Sequence, residues 1–193
     1  RDYYASRGLG DVYKRQQEMT AHLDDDAYAG AALHFIGHLQ TNKVRQVVGR
    51  VELIESVGSE HLLEAIKAQA AKLELVQDIL LEVNIGGEAS KSGISPEELS
   101  ALAAQAVGSP HVRLRGLMAI PPVAAGPDGN RPFFAKMRQL YVDIRSQMDD
   151  NKTSFDCLSM GMSGDFEDAV REGATLVRVG TALFGPRPPM HKG

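Results

Sequence analysis

The chain has 193 residues, 43% hydrophobic and 24% charged, with 19 glycines, 9 prolines and one cysteine, which excludes collagen-like, low-complexity and disordered classes and suits one medium domain. A formal charge of −4 from 21 basic and 25 acidic residues gives no global attraction to nucleic acid or anionic lipid, and no apolar run approaches the roughly 18 residues of a membrane span. The single cysteine, Cys157, rules out a disulfide framework and a multi-cysteine zinc site and fits a reducing cytoplasm.

Residues 1–16 (RDYYASRGLGDVYKRQ) carry neither helical nor strand periodicity and no apolar segment of a signal peptide. They read as a foreign leader without a role in the fold, and the domain is expected over residues 17–193. From residue 33 onward, short apolar runs alternate with helical patterns. Residues 33–36 form the first expected strand, and Thr41 is placed to cap a helix reaching residue 48. A second strand is expected over 51–54. Ser59 then opens a helix with Leu62, Leu63, Ile66, Ala70 and Leu73 at the 3.6-residue spacing. Residues 78–85 (DILLEVNI) are a continuous apolar strand of the kind buried on both faces of a parallel sheet.

The strongest local signal is Ser95-Pro96-Glu97-Glu98, a capping box with proline at the first helical position, heading a helix to residue 107. A strand is expected over 112–120, stopped by Pro121 and Pro122. A Gly/Pro-rich loop follows, then a helix with Phe133, Met137, Leu140, Ile144 and Met148 on one face. A strand at 155–159, a helix at 164–172 ended by Gly173, and a strand at 175–179 complete the series. Strict βα alternation means a parallel sheet with right-handed crossovers. Six such units fit either an open doubly wound sheet or a (β/α)8 barrel short of two units, a full barrel typically taking about 250 residues. Spacing does not choose between them.

Ligands of α/β folds bind beyond the C-terminal ends of strands. After the strand at 155–159 come Met162, Ser163 and Gly164; after the last strand come Gly180 and Thr181. Glycine, a hydroxyl and a helix N-terminus at two adjacent turns suit a phosphate; equally, the hydroxyls could be plain caps and the glycines tight turns. Arg178 interrupts an apolar strand and needs a partner, either a cofactor nearby or a neighbouring acid. Gly86–Gly87 and Lys91-Ser92 form a poor P-loop, because Ser90 stands where glycine is required; Lys91 is read as a cation at the barrel mouth. His34 and His38 sit on a strand and its loop, with no third ligand, so no metal site is expected. Cys157 is read as a small core residue.

Five runs carry a resemblance: HFIGHLQTNKVR (34–45), SKSG (90–93), RGLMAIPP (115–122), LSMGMSGDFEDAVREGAT (158–175) and VRVGTALFG (177–185). In order and spacing, from about residue 33 to 187, they resemble the pyridoxal phosphate homeostasis protein family. The resemblance implies a (β/α)8 TIM-type barrel of the alanine-racemase type, with about six of eight units present, and pyridoxal 5′-phosphate (PLP) as cofactor. It implies a cytoplasmic protein without established catalysis that buffers PLP and delivers it, with PLP-dependent apoenzymes as partners and the intact family monomeric. It places the phosphate on Ser163 and its neighbours Met162 and Gly164, and on Gly180 and Thr181. Arg178 would face the pyridine nitrogen, which suits a carrier better than an electron-sink enzyme. Lys91 and His34 belong to matching motifs near the pocket.

The family's Schiff-base lysine, on a first strand of V-S-K-T-K-P type, is not in this sequence, and Lys14 of the leader is not accepted as its substitute. PLP binding is therefore expected to be weaker and non-covalent. The strands at 33–36 and 175–179 are expected to have unpaired edges, favouring low stability or self-association. The rival readings are a racemase-like PLP enzyme, which would need that lysine and a second domain, and an inert fragment whose glycine turns are structural only.

Overall fold

The computed structural model describes residues 11–13, 31–88, 91–122, 126, 128–148 and 154–185. Seven strands form one sheet: β1 (Asp11–Tyr13), β2 (Leu33–Phe35), β3 (Leu53–Val57), β4 (Gln77–Glu82), β5 (Val112–Met118), β6 (Cys157–Met162) and β7 (Leu176–Arg178). Each pairs in parallel with the next, so order in space equals order in the chain. A doubly wound sheet reverses its order at a switch point. This one does not, and is singly wound in the barrel manner. Between the strands lie a 3-10 turn (Thr41–Gln46) and helices α1 (Glu60–Lys72), α2 (Leu99–Val107), α3 (Arg131–Ser146), α4 (Phe166–Arg171) and α5 (Thr181–Phe184).

Strand alternation divides the sheet into two faces. Phe35, Ile54, Ile79, Leu81, Leu117 and Leu158 point outward into the main core, where Leu63, Ile66, Leu102, Phe134 and Met137 of the helices meet them. Leu53, Leu80 and Met118 point inward, with Ile120 and Cys157 packed beside them. Burial in that inner layer pushes the Cys157 thiol up to about 11, so it stays protonated and packs as a small apolar group, as expected.

The leader needs a correction. Asp11–Tyr13 pairs with Leu33–Phe35 as an added parallel strand, so these three residues of the leader do contribute to the sheet and the edge expected at 33–36 is covered. Three residues hydrogen-bonding to an open edge need no apolar pattern to do so, and none announces them. Lys14 lies outside the described residues. Strand β7 closes the other end of the sheet with its edge unpaired among the described residues.

Other boundaries shift for identifiable reasons. The second expected strand runs on through Glu55 and Ser56, because both polar side chains find partners inside the fold. Thr41 is the first residue of its 3-10 turn rather than a cap, and the flanking Gln40 makes no side-chain cap either. Ser59 caps α1 as expected, accepting from the Leu62 N–H at 3.2 Å, but Leu73 falls just past the helix and is exposed. The capping box forms, Ser95 donating to Glu98 at 2.7 Å and accepting from its N–H at 3.3 Å, in a turn preceding the helix proper. On α3 the buried residues are Phe134, Met137, Tyr141 and Ile144. Phe133, Leu140 and Met148 only flank the core, so the stripe is rotated from the expected one. Tyr141 is buried because its hydroxyl donates to the Phe155 carbonyl at 3.0 Å and its ring stacks on Phe155.

Candidate functional site

The two glycine turns expected to work together do meet. In β6, Gly161 has φ +91° and backs onto α4, where a Cβ would lie 2.5 Å from that of Ala169; only glycine lets strand and helix approach so closely. Asp165 then ties the turn, accepting from the Met162 N–H at 2.7 Å and from Asn130 at 2.6 Å. This holds Met162 by its backbone and starts α4 at Phe166, two residues later than expected. Ser163 does not cap that helix. Its Oγ accepts from Gly180 N–H at 3.2 Å and Ala182 N–H at 3.1 Å, fastening the β6 turn to the β7 turn.

A serine hydroxyl has two acceptor positions and one donor. With both acceptor positions taken, what Ser163 has left to offer is its proton, which requires an acceptor such as a phosphate oxygen. The surroundings have room for one: a Cβ built on Gly164 or on Gly180 would meet no atom within 4 Å. Thr181 opens α5 beside them, exposed.

Arg178, at the end of β7 and 4% exposed, is paired in register with Met162 of the β6 turn. Nη2 donates to the Ala119 carbonyl at 2.9 Å and Nη1 donates to Ser159 Oγ. Ser159 in turn donates to Glu55 Oε2 at 2.6 Å, and the other oxygen of Glu55 meets His34 Nδ1 at 2.9 Å. Burial pushes the Arg178 guanidinium down from its ordinary range, and the charges of Glu55, Glu82 and Asp165 oppose that. One nitrogen of the guanidinium has no partner: Arg178 Nε–H is buried without a hydrogen bond among the described residues. A buried donor left unpaired costs about 1–3 kcal/mol.

The structure thus joins His34 to Arg178 through a buried chain, and Ser163 to Gly180. Lys91 is bound elsewhere, to Glu88 and to the Pro121 carbonyl at 3.2 Å. His38 turns to Ser92 at 3.1 Å, so the two histidines diverge. Beside the site, a cleft of about 590 Å³ opens between the loops after β2, β3 and β4. Glu82 projects into it with a carboxyl raised to about 6 by burial, an effect that Arg178 partly offsets. Glu55, Ser159 and Glu82 were missed in the sequence. Glu55 carried the same signal as Arg178, a charge inside an apolar strand, whereas Ser159 carried none.

The model of the alanine racemase N-terminal domain family matches residues 18–188. Two proteins named pyridoxal phosphate homeostasis protein, from Aquifex aeolicus and Pseudomonas aeruginosa, are 47% and 43% identical to the chain over 154 residues, 80% of its length. The chain spans 66% and 64% of their respective lengths, just under two thirds. The structure of PipY from Synechococcus elongatus with PLP bound matches at a TM-score of 0.80 and 32% identity, over 92% of this chain and 82% of that one. Among the described residues, no helix is long and apolar enough to cross a membrane.

Proposed function

The chain belongs to the alanine racemase N-terminal domain family, among its pyridoxal phosphate homeostasis proteins, and from that membership and the site we propose that it binds PLP as a cofactor carrier rather than as a catalyst. The phosphate sits against Ser163, with Met162 and Gly164 in the same turn and Gly180 and Thr181 opposite, and the pyridine nitrogen accepts from Arg178. His34 supports the site through Glu55, and Lys91 stands at its rim. PLP supplies a reactive aldehyde that a carrier must shield until it is passed to PLP-dependent apoenzymes in the cytoplasm. The sheet is completed as a (β/α)8 barrel of the alanine-racemase type, of which the strands after β1 supply six units. A chain presenting the β7 edge self-associates.

One observation carries this reading. Donor capacity is left over at two points at the ends of neighbouring strands, the Ser163 hydroxyl after β6 and the buried Arg178 Nε–H of β7, and PLP has an acceptor for each. Arginine at the ring nitrogen favours the unprotonated pyridine, which weakens the ring as an electron sink and suits storage. The test is a PLP titration followed by absorbance, with inorganic phosphate as competitor. Saturable binding, displaced by phosphate and weakened by Ser163→Ala, is expected. Binding that ignores both phosphate and that substitution would overturn the assignment.

A further inference from the structure

Glu55 is fully buried, yet it is 21 residues from His34 and 104 from Ser159 in sequence. Nothing local explains a carboxylate there; its partners are all brought by other strands. The direction of the hydrogen bonds is fixed by what each group can do. An arginine only donates and an ionised carboxylate only accepts. Ser159 between them therefore accepts from Arg178 Nη1 and gives its single proton to Glu55 Oε2. Glu55 Oε2 also lies 3.8 Å from Nη1 itself, an ion pair in which both side chains are at most 2% exposed. With Nη1 fixed through Ser159 and Nη2 fixed on Ala119 O, the planar guanidinium has no rotation left. The direction of its unpartnered Nε–H is set as a consequence.

We propose that Glu55 is a positioning residue: acting through Ser159, it holds Arg178 so that its unpartnered Nε–H meets the ring nitrogen of the bound pyridine. This rests on the PLP reading above and goes past it by naming the residue that makes the site selective for an unprotonated aromatic nitrogen. Glu55 touches neither ring nor phosphate. Its effect should therefore fall on recognition of the ring and leave the phosphate cradle, held by Ser163, untouched. A purely structural role, neutralising a buried arginine, would instead weaken both together.

The test uses the full chain and two probes, pyridoxine 5′-phosphate, which has the ring nitrogen but no aldehyde, and inorganic phosphate. With Glu55→Gln, which keeps the shape and removes the charge, pyridoxine phosphate should bind roughly tenfold more weakly, the ratio expected when a charge-assisted bond becomes neutral. Phosphate affinity should be unchanged, and the absorption band of the bound ring should shift toward that of the nitrogen-protonated form. Equal loss of both probes, or no loss of either, overturns the proposal while leaving the phosphate cradle standing. A wild-type chain that binds phosphate but not pyridoxine phosphate overturns the ring assignment and this inference with it. Should Glu55→Gln fail to fold, Ser159→Ala breaks the same bridge without altering charge. It should show the same selective loss, and an unchanged ratio between the probes contradicts the proposal.

Discussion

Strand β4 has charged groups at both ends of its inner face, and the two ends are built on opposite terms. At its start, Asp78 accepts from Arg113 at 2.6 and 2.7 Å and from Arg115 at 2.7 Å, while Arg115 also grips Asp156 at 2.9 and 2.8 Å. The network is closed, and those bonds raise both arginines and lower Asp156. At its end, Glu82 faces a cleft with its carboxyl raised by burial, and the neighbouring Arg178 keeps an unpaired donor. A closed network gives rigidity. An open one, in the same sheet, marks where the fold leaves groups for a ligand at a cost in stability.

The comparison can be broken most drastically from the middle. Gly116 has φ +154°, and a Cβ there would lie 1.7 Å from the Cys157 carbonyl oxygen in the paired strand. Gly116→Ala should abolish folding or cost more than about 4 kcal/mol in urea denaturation, disabling both ends at once. Next comes the closed end. Asp78→Ala takes an acceptor from Arg113 and Arg115, although Arg115 keeps Asp156, and should cost about 1–3 kcal/mol, while phosphate binding by the folded fraction stays as in the wild type.

The two ends should also separate by pH. Glu82 titrates at about 6 in the fold against an ordinary value of 4.5. A raised carboxyl means that the folded state takes up protons more readily, so this contribution is greatest below 4.5 and is lost as pH rises through 6. Glu82→Gln should therefore raise stability at pH 7, by at most about 2 kcal/mol, and flatten the slope between those limits. Asp156 runs the other way. Its pKa is depressed by Arg115, so its contribution is present above the ordinary carboxylate range and disappears as acid carries it through its lowered value. The smallest effect on stability belongs to Gly180→Ala, with φ −112° and open space around the new methyl group. Stability should change by no more than about 0.5 kcal/mol, yet phosphate affinity should fall because the methyl takes the ligand's place.

Legibility in the sequence followed the range of the forces involved. Six strands were readable because their largely buried or half-buried side chains appear as apolar runs; β1, holding on by backbone bonds, was not. The α3 stripe was misplaced because Phe133 and Phe134, like Leu140 and Tyr141, are adjacent apolar residues, and periodicity alone does not settle the rotation. The glycine turns were readable as local motifs that need particular residues at particular spacings. For Arg178 the residues left two partners open, a cofactor or an acid. The structure shows the acid, Glu55, and the unpaired Nε–H beside it. The Glu55–Ser159 contact joins strands 104 residues apart, a distance no local pattern crosses.

The most direct test of the open end is a crystal structure of the chain with PLP bound. The phosphate should lie against the Ser163 hydroxyl, and the pyridine nitrogen should be within hydrogen-bonding distance of Arg178 Nε. PLP bound elsewhere, with Arg178 Nε still unpartnered, would contradict the reading of that end as a cofactor site.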